Sequence, residues 1–310
     1  MRIAVLGSLN MDLVMEVERL PRPGETVAGT SFSRYPGGKG NNQAIAAARL
    51  GAEVALFGRV GQDRYGEELL SVARAAGVDT SGVEALPGEI TGVALILVGR
   101  DGQNQIAYAP GANGRIDEAF VKAILPRVRS ADVLLLQLEI PISPLAFLLR
   151  RLPEDHPLVV LDPAPVQDLT PLPLHRVDYL TPNREELGAL CRAPVKKKDD
   201  LMRFSQLLLG TGAKHLVVKA DQDGAYLAEP GGVTHFPAYK VKAVDTTAAG
   251  DAFNAALAVS LAEGKGTYEA IGYANAAAAI TVTRKGAASS LPTRAEVQDF
   301  LRHPYRHPVG

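Results

Sequence analysis

The chain has 310 residues, 46% of them apolar, enough for one large α/β domain with a substantial buried core. Its 33 basic and 34 acidic residues leave a net charge of −1, so no global field favours nucleic acid or an anionic membrane surface as partner. Cys191 is the only cysteine, which excludes an internal disulfide and suits a reducing compartment. The apolar start at Met1–Gly7 is too short for a signal peptide, and no run approaches the roughly 18 apolar residues of a membrane span. A soluble cytoplasmic protein is expected.

Arg2–Gly7 reads as a buried parallel strand. Asn10 and Asp12 follow at its carboxyl end, where open α/β sheets bind ligands, although the same residues also suit an ordinary turn. Residues 13–35 hold an alternating run at Val14–Glu18, then Pro21, Pro23 and Gly24, then a second β-like run. This is a two-stranded excursion from the α/β pattern, suited to a lid. The segment Pro36-Gly37-Gly38-Lys39-Gly40-Asn41-Asn42-Gln43 reads as a flexible loop running into a helix over Ala44–Leu50. Its three glycines permit close backbone approach, and it offers backbone N–H groups, one cation and side-chain amides to a polyhydroxylated ligand. It is not a phosphate-binding Walker loop, because Lys39 is not followed by Ser or Thr, and no dinucleotide fingerprint is present.

Glu53–Val60 reads as a strand and Arg64–Ala76 as a helix. Gly92–Val98 and Asn104–Ala109 flank an Asp101-Gly102 turn as a hairpin, so about four strands lie outside the main layer. Strands over Val133–Leu138, Leu158–Leu161 and Tyr179–Leu180 end in Glu139, in Asp162-Pro163 and in Thr181-Pro182-Asn183. Glu186, by itself, is an ordinary acidic complement to a helix start. Lys196–Asp200 is a solvated charge run. His215–Lys219 reads as a strand that turns through residues 220–224 into Ala225–Ala228.

A strand-like approach over Tyr239–Val244 leads to Asp245-Thr246-Thr247-Ala248-Ala249-Gly250-Asp251-Ala252-Phe253-Asn254. The helix opening there has three free backbone N–H groups, a positive dipole end and almost no side chains, a ready site for phosphate. Asp251 beside it either takes a proton from an attacking hydroxyl or simply caps the helix, and both readings stay open at this point. Thr267–Val282 is a small-residue helix, Arg284–Ser290 a loop and Thr293–Leu301 a closing helix. The alternation implies an α/β fold, a doubly wound, mostly parallel sheet with helices on both faces, plus a small β-sheet lid.

Two separated motifs carry a family resemblance. Gly37–Gln43 with its Ala-rich helix resembles the amino-terminal signature of the ribokinase-like carbohydrate kinases, the PfkB family. Asp245–Asp251 resembles the carboxy-terminal signature of the same family. The likeness extends to Gly7–Asp12, Thr181–Asn183 and Thr283-Arg284-Lys285-Gly286-Ala287, and so spans essentially the whole chain. It implies one ribokinase-like domain over residues 1–310, with lid strands inserted at about 13–35 and 92–109. It also implies ATP-dependent phosphorylation of a sugar hydroxyl, and the last features point to the branch that acts on the 5-hydroxyl of D-ribose.

By this resemblance Asp251 is the base, and the N–H groups of Ala248, Ala249 and Gly250 form an anion hole. Asn10, Met11, Asp12, Gly38, Lys39, Gly40, Asn41, Asn42 and Glu139 hold the sugar together with Asp251. Asn183, Lys219, Ala220, Asp221, Gln222, Asp223, Gly224, Gly250 and Asn275 line ATP. Glu186 is tied to Mg²⁺ through water, and a monovalent cation, K⁺, sits near Asp245, Thr247, Thr281, Arg284, Gly286 and Ser290. The lid implies a homodimer. Asp221 departs from the Gly usual at its position, and Asn275 stands where other members can carry His. The rival readings are a sister kinase acting on fructose, 2-keto-3-deoxygluconate or a nucleoside, and a non-catalytic sugar-binding regulator. Asn10, Asp12 and Glu139 speak against the first, and the intact Asp251 against the second.

Overall fold

Short runs of Val, Ile and Leu alternate with longer amphipathic or Ala-rich segments, and the computed structural model, which describes residues 1–303, turns them into strands and helices in that order. The first third holds β1 (Arg2–Leu6), β2 (Asn10–Val17), β3 (Gly29–Gly37), α1 (Lys39–Arg49), β4 (Glu53–Gly61), α2 (Arg64–Ala75) and β5 (Asp79–Leu86). It continues through β6 (Gly92–Gly99), β7 (Asn104–Ala109), α3 (Glu118–Arg129), β8 (Val133–Gln137), α4 (Ile142–Leu149), β9 (Leu158–Asp162) and β10 (Tyr179–Leu180). The last part holds α5 (Arg184–Leu190), α6 (Lys198–Leu209), β11 (His215–Lys219), β12 (Ala225–Glu229), β13 (Gly232–Phe236), α7 (Ala249–Ala262), α8 (Thr267–Thr281) and α9 (Arg294–Arg302).

Nine strands form one sheet in the order β13-β12-β11-β10-β9-β8-β1-β4-β5. All neighbours from β11 to β5 are parallel, while β12 and β13 close one edge antiparallel. Strands buried on both sides need apolar residues throughout, and β8 (Val-Leu-Leu-Leu-Gln) is buried along its whole length. One apolar core lies between the sheet and α1, α2, α7, α8 and α9; the other lies between the opposite face and α3, α4, α5 and α6. From β1 the chain first builds toward β4 and later toward β8. The strand order therefore reverses beside β1, and the carboxyl ends of β1 and β8 flank the crevice where such sheets bind ligands.

A second sheet, β3-β2-β6-β7, stands apart from the first. It joins the two excursions: β2 pairs with β3 and β6 with β7 antiparallel, and β2 with β6 in parallel. The four strands expected outside the main layer thus form one sheet.

Three local expectations are corrected. The helix expected from Ala44 begins at Lys39, so most of the glycine-rich segment is a tight strand-to-helix junction and not a flexible loop. The cause is packing: the Asn41 N–H donates to the Ser8 carbonyl at 3.0 Å, and a Cβ on Gly40 would lie 2.6 Å from the Gly7 carbonyl carbon. Only glycine lets α1 approach β1 so closely. Tyr239–Val244 forms no strand. Its alternation instead turns Tyr239 and Val241 toward the core, Tyr239 meeting Phe300 edge to face at 5.1 Å. Finally, β5, β13, α3 and α4 complete the α/β alternation where the sequence reading names no element. No helix among the described residues is long and apolar enough to cross a membrane.

Candidate active site

The polar groups gather where the strands end. Asn10 and Asp12 open β2, and their spacing of two turns both to one face while Met11 is buried behind them. Glu139 follows β8 and is the centre of the cluster expected to hold the sugar. Its Oε2 accepts hydrogen bonds from the Ser8 hydroxyl, from Asn10 Nδ2 at 3.2 Å and from the Lys39 N–H at 3.3 Å. Asn113, on the segment returning from β7, orients Asn10: its Nδ2 donates to Asn10 Oδ1 at 2.8 Å, and it exchanges hydrogen bonds with the Leu9 backbone at 3.0 and 3.1 Å. The Asn42 Oδ1 is buried without a protein partner, and a ligand hydroxyl is a natural donor to it.

Asp251 is 6% exposed and lies in the first turn of α7, yet it does not cap that helix. Its Oδ2 accepts from Asn42 Nδ2 at 3.0 Å and its Oδ1 from Gln43 Nε2 at 3.1 Å, so the carboxylate faces α1. Burial pushes its pKa up to about 6; the neighbouring Asp162 adds to this, while the Lys39 ammonium and the two amides oppose it. Asp12 is pushed up to about 7 by burial and by the charges of Glu139 and Asp251, against the pull of Lys39. Burial works against the Lys39 ammonium, but Asp251, Asp162, Glu139 and Glu186 outweigh it and raise its pKa. The Lys39 cation therefore stands among carboxylates, Asp251 one of them.

The start of α7 is shaped by Ala248, whose φ of 60° is left-handed. Of the three N–H groups expected to be free, that of Ala249 donates to the Thr246 carbonyl at 3.2 Å and is only shared. On the neighbouring strand ends, Asn183 caps α5 in a reciprocal box with Glu186: the Glu186 carboxylate accepts from Asn183 N at 2.7 Å and Nδ2 at 2.9 Å. Burial raises the Glu186 pKa, with Lys219 opposing and Asp162 adding. The turn after β11 accommodates its unusual acids. Asp221 is exposed with φ 49°, the left-handed region that favours glycine and that Asp tolerates. Asp223 is paired with Arg184 at 2.5 Å, and a Cβ on Gly224 would lie 2.1 Å from the Phe236 carbonyl oxygen. Asn275 donates to that same carbonyl at 3.3 Å, which brings it to this turn.

Of the six cation-site residues, Asp245, Thr247 and Gly286 come together. The Asp245 Oδ1 accepts from Thr247 N at 2.9 Å and Oγ1 at 2.6 Å, and its Oδ2 from Gly286 N at 2.9 Å. Partial burial works to raise the Asp245 pKa, but these bonds prevail and hold it below the usual range. Thr281 and Ser290 turn their hydroxyls to their own backbone, on Ala277 and Ala287, and Arg284 pairs with Glu296 at 2.5 Å.

The pfkB family carbohydrate kinase model matches residues 1–294. The chain belongs to this family. The kinase is similar to the ribokinase of Haemophilus influenzae, 37% identical over 97% of this chain and 98% of that one. It is similar also to the ribokinase of Bacillus subtilis, 39% identical over 96% and 99%. Among solved structures, Arabidopsis thaliana ribokinase complexed with ribose and ATP is similar at a TM-score of 0.89 and 34% identity, covering 97% of this chain and 98% of that one.

Sequence reasoning names the expected site residues of this kinase but passes over those that orient them. Gln43, Asp162, Ser8 and Asn113 bond the expected site residues Asp251, Lys219, Glu139 and Asn10, and Gln137 holds Gln43. A polar residue closing an apolar strand, such as Gln137 in β8 or Asp162 in β9, is the signal that marks two of them. Asn113 carries no such local signal.

Proposed function

We propose that this kinase transfers the terminal phosphoryl group of ATP to the 5-hydroxyl of D-ribose, giving D-ribose 5-phosphate and ADP. The observation that carries the reading is the position of Asp251: a buried carboxylate between the hydroxyl-binding cluster and the start of α7. In this reading Asn10, Asp12, Gly38, Lys39, Asn42 and Glu139 hold the sugar hydroxyls. Asp251 accepts the proton of the attacking hydroxyl, and the N–H groups of Ala248, Ala249 and Gly250 receive the charge that grows on the transferring group. Asn183, the turn Lys219–Gly224 and Asn275 line the nucleotide.

A divalent cation such as Mg²⁺ neutralises phosphate charge when bound, and Glu186, held in its capping box, would hold it through water. Asp245, its pKa held low and its carboxylate beside the Thr247 hydroxyl, supplies hard oxygen donors of the kind that suit K⁺. The chain works in the cytoplasm as one domain, expected over residues 1–310, of which 304–310 lie outside the described residues. One face of the lid sheet exposes Met15, Phe32 (61%) and Leu95 (55%), side by side in the strand register and suited to a second copy in a homodimer.

The test is ADP release from ATP and Mg²⁺ with D-ribose, with and without K⁺, against fructose, 2-keto-3-deoxygluconate, deoxyribose and nucleosides. Preference for ribose with stimulation by K⁺ is the expected result. Preference for another acceptor overturns the sugar assignment, and ribose binding without turnover overturns the enzyme.

A further inference from the structure

Below the groups that meet the substrates lies a second row of polar side chains. Asp162, at the end of β9, is 2% exposed, and its Oδ1 lies 2.9 Å from the Nζ of Lys219, at the end of β11 and 13% exposed. The other oxygen, Oδ2, accepts from Gln43 Nε2 at 3.3 Å, and the same Nε2 donates to Asp251 Oδ1 at 3.1 Å. Gln43 is locked in that orientation, because its Oε1 accepts from Gln137 Nε2 at 2.7 Å. The seat of Gln137 in turn requires Gly7, where a Cβ would lie 1.9 Å from Gln137 Oε1.

Lys219 stands against the start of α7, since a Cβ placed on Gly250 would lie 3.4 Å from its Nζ. An ammonium has three N–H donors, and Asp162 takes one; no other hydrogen bond from this ammonium is formed among the described residues. A buried ion pair adds little to stability by itself, because desolvating both charges offsets their attraction. Its place is informative: beside the helix opening that receives a phosphoryl group, with two donors left for phosphate oxygens.

We infer that Asp162 is a positioning residue for both halves of the reaction: one carboxylate oxygen holds Lys219 against the start of α7, where its ammonium contacts the transferring phosphoryl group, and the other holds Gln43 against Asp251. Lys219 is then a catalytic residue and not only part of the nucleotide turn. Through Gln43, phosphoryl contact and proton acceptor share one anchor, so a disturbance at Asp162 reaches both. The inference rests on the kinase reading given above.

The test compares Asp162→Asn, Lys219→Met, Lys219→Arg and the charge-neutral double variant Asp162→Asn/Lys219→Met with the unmodified enzyme. Expected for Lys219→Met is a kcat about 100-fold lower, as for loss of one donor to a developing charge, with ribose affinity within about threefold. Asp162→Asn is expected to lower kcat at least about tenfold. The double variant should fall within about threefold of Lys219→Met alone, because the Asn oxygen can still accept from Gln43 and the contact removed is the one to Lys219. Lys219→Arg should recover part of the loss.

A second readout needs no turnover: calorimetric titration with the non-hydrolysable analogue AMP-PNP and with AMP. Asp162→Asn, Lys219→Met and the double variant should weaken AMP-PNP by about fivefold or more and leave AMP unchanged. Additive kcat effects, a loss confined to KM, or unchanged AMP-PNP affinity overturns the inference. An unmodified enzyme that releases no ADP with any sugar overturns the functional reading instead, and the analogue titration then decides the place of Lys219 alone.

Discussion

Asp251 and Asp12 lie in one pocket under the same force, burial of a carboxylate, with different consequences. Asp251 must be ionised to accept a proton, so kcat/KM for ribose should rise with pH through about 6. The negative charge of Asp162 contributes to that value, and Asp162→Asn should therefore move the acid limb to lower pH. A limb that stays in place would separate the two carboxylates. Asp251→Asn keeps the shape and removes the acceptor. Its kcat should fall on the order of 1,000-fold with ribose affinity within about threefold by calorimetry, and near-normal turnover would remove Asp251 from the role of base. Asp12 holds a proton in the folded protein up to about pH 7, well above the range of an unfolded chain. Its raised pKa contributes stability that is fully present below the unfolded value and is lost as pH rises through about 7. Asp12→Asn should thus raise Tm by about 2 °C or more at pH 8, with less gain at pH 5, while weakening ribose binding. Equal shifts at both pH values in scanning calorimetry would contradict this.

Among the elements, the junction between β3 and α1 shows what a motif reveals and what it hides. Gly37-Gly38-Lys39-Gly40 marks a functional segment by composition alone, yet three glycines also read as a loop, and the helix start is set by contact with Gly7 and Ser8 on a distant strand. Local propensity cannot register such a contact. Gly40→Ala places a methyl group against backbone that has no room to yield, so a loss of about 1–3 kcal/mol in urea unfolding is expected, together with weakened ribose binding. A neutral result would mean that α1 can move away from β1. Asn183 and Glu186 are the opposite case: the helix start expected there is local, and the structure forms it, with the two residues three apart closing a capping box. Tyr239–Val244 misleads because a period of two reports which side chains face inward, and here the inward face lies on α9 and not in a sheet.

At the scale of the molecule, alternation of strands and helices makes the fold class legible, but not the strand order. Asp162, Gln137 and Glu139 become neighbours of α1 and α7 only because β9, β8 and β1 lie side by side. Their meeting depends on topology, which no local pattern encodes. The lid is legible as two excursions, whereas its parallel β2–β6 seam is a long-range pairing. Its exposed face supplies the test of the proposed homodimer: Phe32→Glu with Leu95→Glu should shift the protein to monomers in analytical ultracentrifugation, and an unchanged dimer would place the interface elsewhere. That sheet is rooted in the pocket itself. Strand β2 starts at Asn10, and β6 starts at Gly92, where a Cβ would lie 2.1 Å from Asn10 Oδ1 and 2.4 Å from Asn113 Nδ2. The amides of Met11–Val17 are thus tethered to the same atoms that are proposed to grip the sugar. Their deuterium uptake becomes a gauge of pocket occupancy, readable without any label on the ligand.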